Sequence, residues 1–298
     1  MKKLIIETLS LLVLTLLASC GNNPKAAADA VPTVTDTLSK PDARFASIDT
    51  LVTFMTDGQQ VETIDDLEKR YKDQTAAIKS YWSLNHQGED EPQQVEAVCI
   101  ELNELADSLA GGSTSDMVQC GQIKGAVSRY LTARDYCDQY SDNPLYQQEM
   151  SDWLMLEKEL SGLYVDLAYL AYWGGTIAHV VASGSLAYLA DVRQQDYWQL
   201  KRGGQFAGSE MTIAEARANL IEELSSAKSL EDDAVEENVA DFRKTLNEMR
   251  EHADKLVKLL DKWLESRARL SEAEGIPEAH TAQLMHQLSR CIMETIEG

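Results

Sequence analysis

From about residue 45 onward, apolar residues recur every three or four positions, and no stretch alternates apolar and polar residues as a strand does. Steps of three and four place apolar side chains along one face of an α-helix. The pattern therefore predicts an all-α fold, an antiparallel helical bundle of about eight helices. The predicted helices cover residues 61–86, 92–110, 114–140, 144–173, 176–202, 211–229, 231–273 and 277–297.

Several predicted helix ends carry recognisable signals. Asn143 followed by Pro144 fits an N-cap with proline in the first turn, and Thr212 with Glu215 three residues later fits a capping box. Glycine tolerates the left-handed backbone that ends many helices, so glycines predict helix stops. These glycines are Gly111, Gly112, Gly174, Gly175, Gly203, Gly204 and Gly275.

The long C-terminal helix predicted over 231–273 has the most regular pattern. Its apolar residues follow one another in alternating steps of three and four from Val235 to Leu270, as in a heptad seam. Arg267 occupies one seam position, one turn after Trp263. Two interpretations are open: the ring of Trp263 covers the arginine stem and faces its charge, or the seam frays and Arg267 reaches water.

The same tryptophan–arginine spacing occurs earlier, where Trp198 stands four residues before Arg202. Residues four apart are neighbours on a helix. In the preferred interpretation each tryptophan anchors its helix in the core, and the arginine lies over it at the rim. The alternative is that Trp198, Arg202, Trp263 and Arg267 contact a protein partner.

The first nineteen residues have the features of a secretory signal. Lys2 and Lys3 precede an apolar run over 4–17, which is shorter than the roughly 20 residues of a membrane span. The four residues that end at Cys20 resemble a bacterial lipobox, which implies cleavage after residue 19 and acylation of Cys20. We therefore expect a lipid-anchored protein of the bacterial cell envelope.

A tether and a helical body are predicted to follow the signal. Residues 20–44 are mostly small and polar and include three prolines, which is typical of a flexible linker, and 45–298 forms the predicted body. By resemblance to better-known lipoproteins, Gly21 favours the outer membrane and leaves the leaflet open.

The chain is strongly acidic. Its formal charge is −22, and removal of Lys2, Lys3 and Glu7 with the signal changes this to −23. Such a charge repels nucleic acid and anionic membrane surfaces, and it speeds encounter with a basic partner. The alternative is that acidity only keeps an exported protein soluble.

Four cysteines besides Cys20 form an even set in an exported chain, which favours two disulfides. Cys120 and Cys137 lie on one predicted helix, about 25 Å apart, whereas a disulfide needs Cα atoms within about 7 Å. Cys99 and Cys120 come nearly level across a predicted helical hairpin. The preferred pairing is Cys99 with Cys120 and Cys137 with Cys291. In a poorly oxidising envelope all four would stay reduced and buried.

Patterns typical of catalytic or metal sites are missing from the sequence. His280 and His286 are six residues apart, a poor spacing for a zinc pair on a helix. The glycine-rich segment 203–208 follows a predicted helix rather than a strand, and the serines at 183–185 lack the glycines of a nucleophile elbow. We therefore predict no catalytic residue, no metal and no cofactor, and a protein that is not an enzyme.

Several short segments stand in the order found in one known family. They are STSDMVQC at 113–120, EKELSGLY at 157–164 and QDYWQLKR at 195–202, followed by Thr212 and Arg217. On these segments the region 113–220 resembles the lysozyme inhibitor LprI family of small exported helical domains. KWLESR at 262–267, with Cys291 and Thr295 after it, resembles the end of the same family and suggests a diverged second copy over 231–298.

The chain departs from the family pattern at several points. Ser161 stands where asparagine is usual, Ser271 stands where cysteine is usual, and Cys99 is displaced from the position of the first cysteine. The resemblance implies binding and inhibition of lysozyme, without catalysis or cofactor.

We therefore expect a non-enzymatic envelope lipoprotein that binds a basic protein partner, with a lysozyme-type wall hydrolase as the candidate. Lysozymes are commonly basic, so the charge and the family resemblance point to the same partner. A structural or scaffolding lipoprotein that associates through its long heptad helix is the alternative.

Overall fold

The structure is a computed structural model that describes residues 41–58, 61–86, 93–202, 210–229 and 239–297. All regular structure in these ranges is helical, which confirms the predicted all-α bundle. A short 3₁₀ helix, Ala43–Phe45, comes first. The α-helices are α1 (Ile48–Thr56), α2 (Ile64–Asn85), α3 (Gln94–Leu109), α4 (Thr114–Gln139), α5 (Pro144–Ala171), α6 (Thr176–Lys201), α7 (Ile213–Lys228), α8 (Val239–Glu274) and α9 (Glu278–Glu297).

The predicted helices agree closely with the observed ones. The largest difference at a described end is the start of α2, predicted at residue 61 and observed at Ile64. The predicted capping box of Thr212 and Glu215 is present, and the side chain of Asn143 accepts a hydrogen bond from the Leu145 N–H. Helix α1 was not predicted, because its nine residues are too few for a clear apolar period.

Some predicted features lie outside the described residues. These are the signal, Cys20, nearly all of the tether, the glycines at 203 and 204, and the first part of the long helix predicted from 231. Within the described chain, no helix is long and apolar enough to cross a membrane.

The buried residues form two apolar clusters. The smaller cluster is built from the 3₁₀ helix, α1, α2, α3 and the first half of α4. The larger one is built from α5 to α9, the end of α4, where Ala133 and Tyr136 contribute, and Leu67 of α2. Helix α4 therefore forms a wall of both clusters.

Helices α4 and α6 pack with their backbones close together. A Cβ built on Gly121 would lie 2.9 Å from the carbonyl carbon and oxygen of Ser183, and one built on Gly125 would lie 3.3 Å from the Ala187 Cα. Real Cβ atoms do not approach backbone so closely, so Gly121 leaves no room for a larger residue. The two glycines stand four residues apart, as do their partners on α6, and small residues at this spacing let helices approach.

The four cysteines are free thiols in the structure. The predicted pairs Cys99–Cys120 and Cys137–Cys291 are therefore wrong for this structure. Cys99 and Cys120 both pack in the smaller cluster, and burial raises the pKa of each thiol. Cys291 is buried beside Tyr164, whereas Cys137 is partly buried near Glu68. Each cysteine fills its own apolar site as a small hydrophobic residue.

Gly121→Ala is expected to destabilise the protein by about 1–3 kcal/mol, because the added methyl group would force the two helix backbones apart. Gly184→Ala on α6 is the matched control, since a Cβ at this position meets no atom within 4 Å. The control should be neutral or stabilising by up to about 1 kcal/mol through helix propensity. Urea unfolding of both variants measures the difference, and equal stabilities would show that the close approach is unimportant.

Candidate functional site

Four charged side chains meet inside the larger cluster. They are Glu149 on α5, Arg193 and Asp196 on α6, and Arg267 on α8, and each is at most 2% exposed. Buried charges are costly unless they are paired and hydrogen-bonded. We refer to these four residues as the buried charge network.

Arg193 joins the two carboxylates of the network. Its Nη1 donates to Glu149 Oε1 at 2.9 Å and to Asp196 Oδ2 at 2.6 Å, while Nη2 donates to Glu149 Oε2. The guanidinium also lies over the rings of Trp153 and Tyr197, with its central carbon 4.5 and 4.7 Å from the ring centroids. Arg193 thus has both carboxylate acceptors and aromatic neighbours.

Arg267 completes the network from α8. It donates to both oxygens of Asp196, at 2.6 Å from Nη2 and 3.1 Å from Nη1, and its Nε donates to Thr281 Oγ1 at 3.4 Å. His280 Nε2 lies 2.7 Å from Asp196 Oδ1. The two arginines balance the two carboxylates in formal charge.

The partners set the ionisation of the network. Burial alone would raise the pKa of Asp196, but Arg267, His280 and Arg193 hold it below its usual range. Burial alone would lower the pKa of Arg193, but Glu149 and Asp196 raise it. These shifts favour the charged form of both groups, so the network is an ionic cluster rather than a set of neutral acids.

The structure places Trp263 and Arg267 in the core. Trp263 is fully buried, donates from its indole nitrogen to Glu149 Oε1 at 2.8 Å, and meets the Trp153 ring edge to face. The prediction that Arg267 lies over Trp263 at the rim is wrong, and so is the alternative that it reaches water. Arg267 is buried because it pairs with Asp196 and Glu149 inside the core. Trp263 and Arg267 are both buried, so neither is accessible to a partner.

Trp198 and Arg202 form the predicted stacked pair. The Arg202 guanidinium carbon lies 4.0 Å from the centroid of the Trp198 ring, at the C-terminal end of α6. Trp198 is half-buried and Arg202 is exposed. This pair lies outside the buried charge network, so the two tryptophan–arginine repeats have different surroundings.

Sequence reasoning missed Glu149, Arg193 and Asp196. They interrupt helical faces that are otherwise apolar, and this interruption is the signal that could have found them. Arg267 was noticed on that ground, but its partners lie far away in the sequence, with Asp196 71 residues distant.

A cleft of about 250 Å³ adjoins the network. It lies between the end of α1 and helices α2, α4, α5 and α6, where the two apolar clusters meet. Arg193 and Trp153 line it, so one side of the buried charge network forms part of its wall. The lining also contains Arg70, Arg129 and Glu157.

In the described parts of the chain, no three histidine, cysteine or carboxylate side chains are grouped so that they could hold a metal ion. The four network residues are almost fully buried, so they serve to hold helices α5, α6 and α8 together. Comparison with models of protein families, with curated proteins and with solved structures finds no match to the chain.

Asp196→Asn is expected to destabilise the fold by about 3–5 kcal/mol, because it removes one charge from a buried pair and leaves both arginines short of an acceptor. Asp261→Asn is the matched control. Asp261 pairs with Arg217 between α7 and α8, where the side chains of Arg217 and Asp261 are 36% and 48% exposed. The control should cost no more than about 1 kcal/mol. Equal losses of unfolding free energy for the two variants, measured with urea, would contradict a stabilising role of the buried charge network.

The stability that Asp196 contributes should depend on pH. Its pKa is lowered in the folded protein and returns to about 3.9 in the unfolded chain, so the unfolded state takes up the proton first as the pH falls. The contribution is therefore complete above about pH 4 and is lost as the pH falls towards the folded pKa. The difference in the free energy of unfolding between wild type and Asp196→Asn, measured with urea, should become smaller below about pH 4. A constant difference down to about pH 3 would contradict this.

Proposed function

We propose that the protein is a lipid-anchored, non-enzymatic binding protein of the bacterial cell envelope that captures a basic protein, with a lysozyme-type wall hydrolase as the candidate partner. The observation that supports this most strongly is the acidic exterior. The chain has 49 acidic and 27 basic residues, and the buried charge network removes two of each sign from the exterior, so the formal excess of 22 negative charges is unchanged.

Unpaired carboxylates gather at one end of the bundle. Glu272, Glu274 and Glu278 are exposed in and around the turn between α8 and α9, and none forms an ion pair with a described residue. Burial raises the pKa of Tyr140 at the end of α4, and the charges of Asp135 and Glu274 raise it further. We call Glu272, Glu274 and Glu278 the acidic end.

The acidic end suits a basic protein surface. Like charges that lack counterions repel one another, and a cationic partner would relieve this repulsion while the field of the chain speeds encounter. The LprI-like segments support a lysozyme as that partner, and the lipobox-like sequence before Cys20 supports placement at the envelope.

The scaffold alternative has no supporting surface in the described structure. The apolar seam residues of α8 are buried against other helices of the same chain: Leu246, Met249, Ala253, Leu256, Leu260, Trp263 and Leu270. Self-association through this seam would require the bundle to open.

The mature protein is expected to protect cells from lysozyme in a lysis assay at low salt. Protection should weaken as salt rises, because charges on exposed surfaces are screened within about 8 Å at physiological ionic strength. Replacing the three carboxylates of the acidic end by glutamine should weaken binding about tenfold, since each exposed pair contributes up to about 1 kcal/mol.

A second triple variant controls for net charge. Glu104, Glu222 and Glu251 are exposed and form no ion pair with a described residue, and they lie on three other helix surfaces. Their replacement by glutamine changes the charge by the same amount and should leave protection nearly intact. No protection by the wild-type protein at large molar excess would refute the lysozyme assignment, and equal losses in both triple variants would refute the acidic end as the contact surface.

A further inference from the structure

The cleft between the two apolar clusters is positively charged, in contrast to the rest of the chain. Four cationic residues line it, Arg70, Arg129, Lys158 and Arg193, against two carboxylates, Asp57 and Glu157. Its lining therefore carries a formal charge of +2 in a chain whose formal charge is −22. Cations collected in one concave place favour an anionic ligand.

Two of these cations already have partners. Arg193 belongs to the buried charge network, and Lys158 pairs with Glu62 at 2.8 Å. Arg70 is fixed at the end of α1, where its Nη2 donates to the backbone oxygens of Asp57 at 2.6 Å and Met55 at 3.2 Å. The remaining cation is Arg129.

Arg129 makes no hydrogen bond and no ion pair within 4 Å with any described residue. A Cβ built on Gly125 would lie 3.4 Å from Arg129 Nη2, so the guanidinium lies beside this glycine, where α4 approaches α6. Its attractive neighbour is Glu157, whose carboxylate already accepts a hydrogen bond from the Trp153 indole at 3.0 Å. The donors of Arg129 thus remain available to a ligand.

The surroundings of Arg129 are concave and partly shielded from water. Arg129 is exposed to solvent, yet the protein atoms around its guanidinium desolvate the group enough to lower its pKa. Exposure together with desolvation is expected for a side chain in a recess that is open to water on one side. Burial also lowers the pKa of Arg70, and the charge of Arg129 lowers it further. An anion near Arg129 would offset this repulsion.

The rest of the cleft is mainly apolar. Met150, Leu154, Leu186 and Ala190 contribute aliphatic surface, and Trp153 contributes an aromatic ring. The volume of about 250 Å³ far exceeds the roughly 10–15 Å³ that one ordered water requires. Apolar walls with a few convergent polar groups are typical of small-molecule sites.

We propose that this cleft binds a small organic anion, with its carboxylate, sulfonate or phosphate group on Arg129 and its apolar body against the aliphatic walls. The planar guanidinium can give such a group two parallel hydrogen bonds. This site is separate from the acidic end, and it would bind an anion where the acidic end would bind a cationic protein. The two proposals can therefore be tested independently.

The test compares two fluorescent probes that share one apolar body. 8-Anilinonaphthalene-1-sulfonate carries an anionic group, and N-phenyl-1-naphthylamine lacks it. The wild-type mature protein is expected to bind the sulfonate probe more tightly than the neutral one. Arg129→Gln should weaken binding of the sulfonate probe at least tenfold and leave the neutral probe nearly unchanged, whereas Arg129→Lys should retain part of the preference.

Arg269→Gln is the matched control, because Arg269 is exposed on α8 and lies outside the cleft lining. It should bind both probes as the wild type does, and circular dichroism should show all variants to be helical. The proposal is overturned if the wild type binds neither probe, if it binds both equally, or if Arg129→Gln and Arg269→Gln have the same affinity for the sulfonate probe.

Discussion

The fold depends on the mutual neutralisation of four charges inside its larger core. Glu149, Arg193, Asp196 and Arg267 come from three helices, and each is almost fully removed from water. None of them could be buried alone, because an isolated ion in an apolar interior costs several kcal/mol. The helices must therefore assemble in the one arrangement that brings all four together. The apolar residues supply most of the packing energy, and the paired charges disfavour arrangements that would separate them inside the core.

Aromatic rings support this arrangement. Arg193 lies over Trp153, Trp153 meets Trp263, and Trp263 donates to Glu149, so rings and charges form one connected group across α5, α6 and α8. The same group forms a wall of the cleft through Arg193 and Trp153. The residues that hold the bundle together thus also shape the cleft that contains Arg129.

Local signals in the sequence were enough to predict the helices, because apolar periodicity, capping boxes and glycine stops are properties of neighbouring residues. They could not locate the buried charge network, since Arg267 and Asp196 are 71 residues apart and nothing local indicates that they meet. The same limit explains the cysteines, whose pairs were predicted from helix length and from level positions across a predicted hairpin. It also explains Arg129, whose place in a cleft with residues of α2, α5 and α6 depends on contacts that are distant in the sequence.

Helix α4 gives the two apolar clusters a common structural element. Its first half packs in the smaller cluster, its last turns pack in the larger one, and its glycines hold it tightly against α6. If α4 loosened, both clusters would lose a wall at once and expose apolar surface. The two cores of the described body thus share one wall, so we expect a local opening of α4 to expose both of them together.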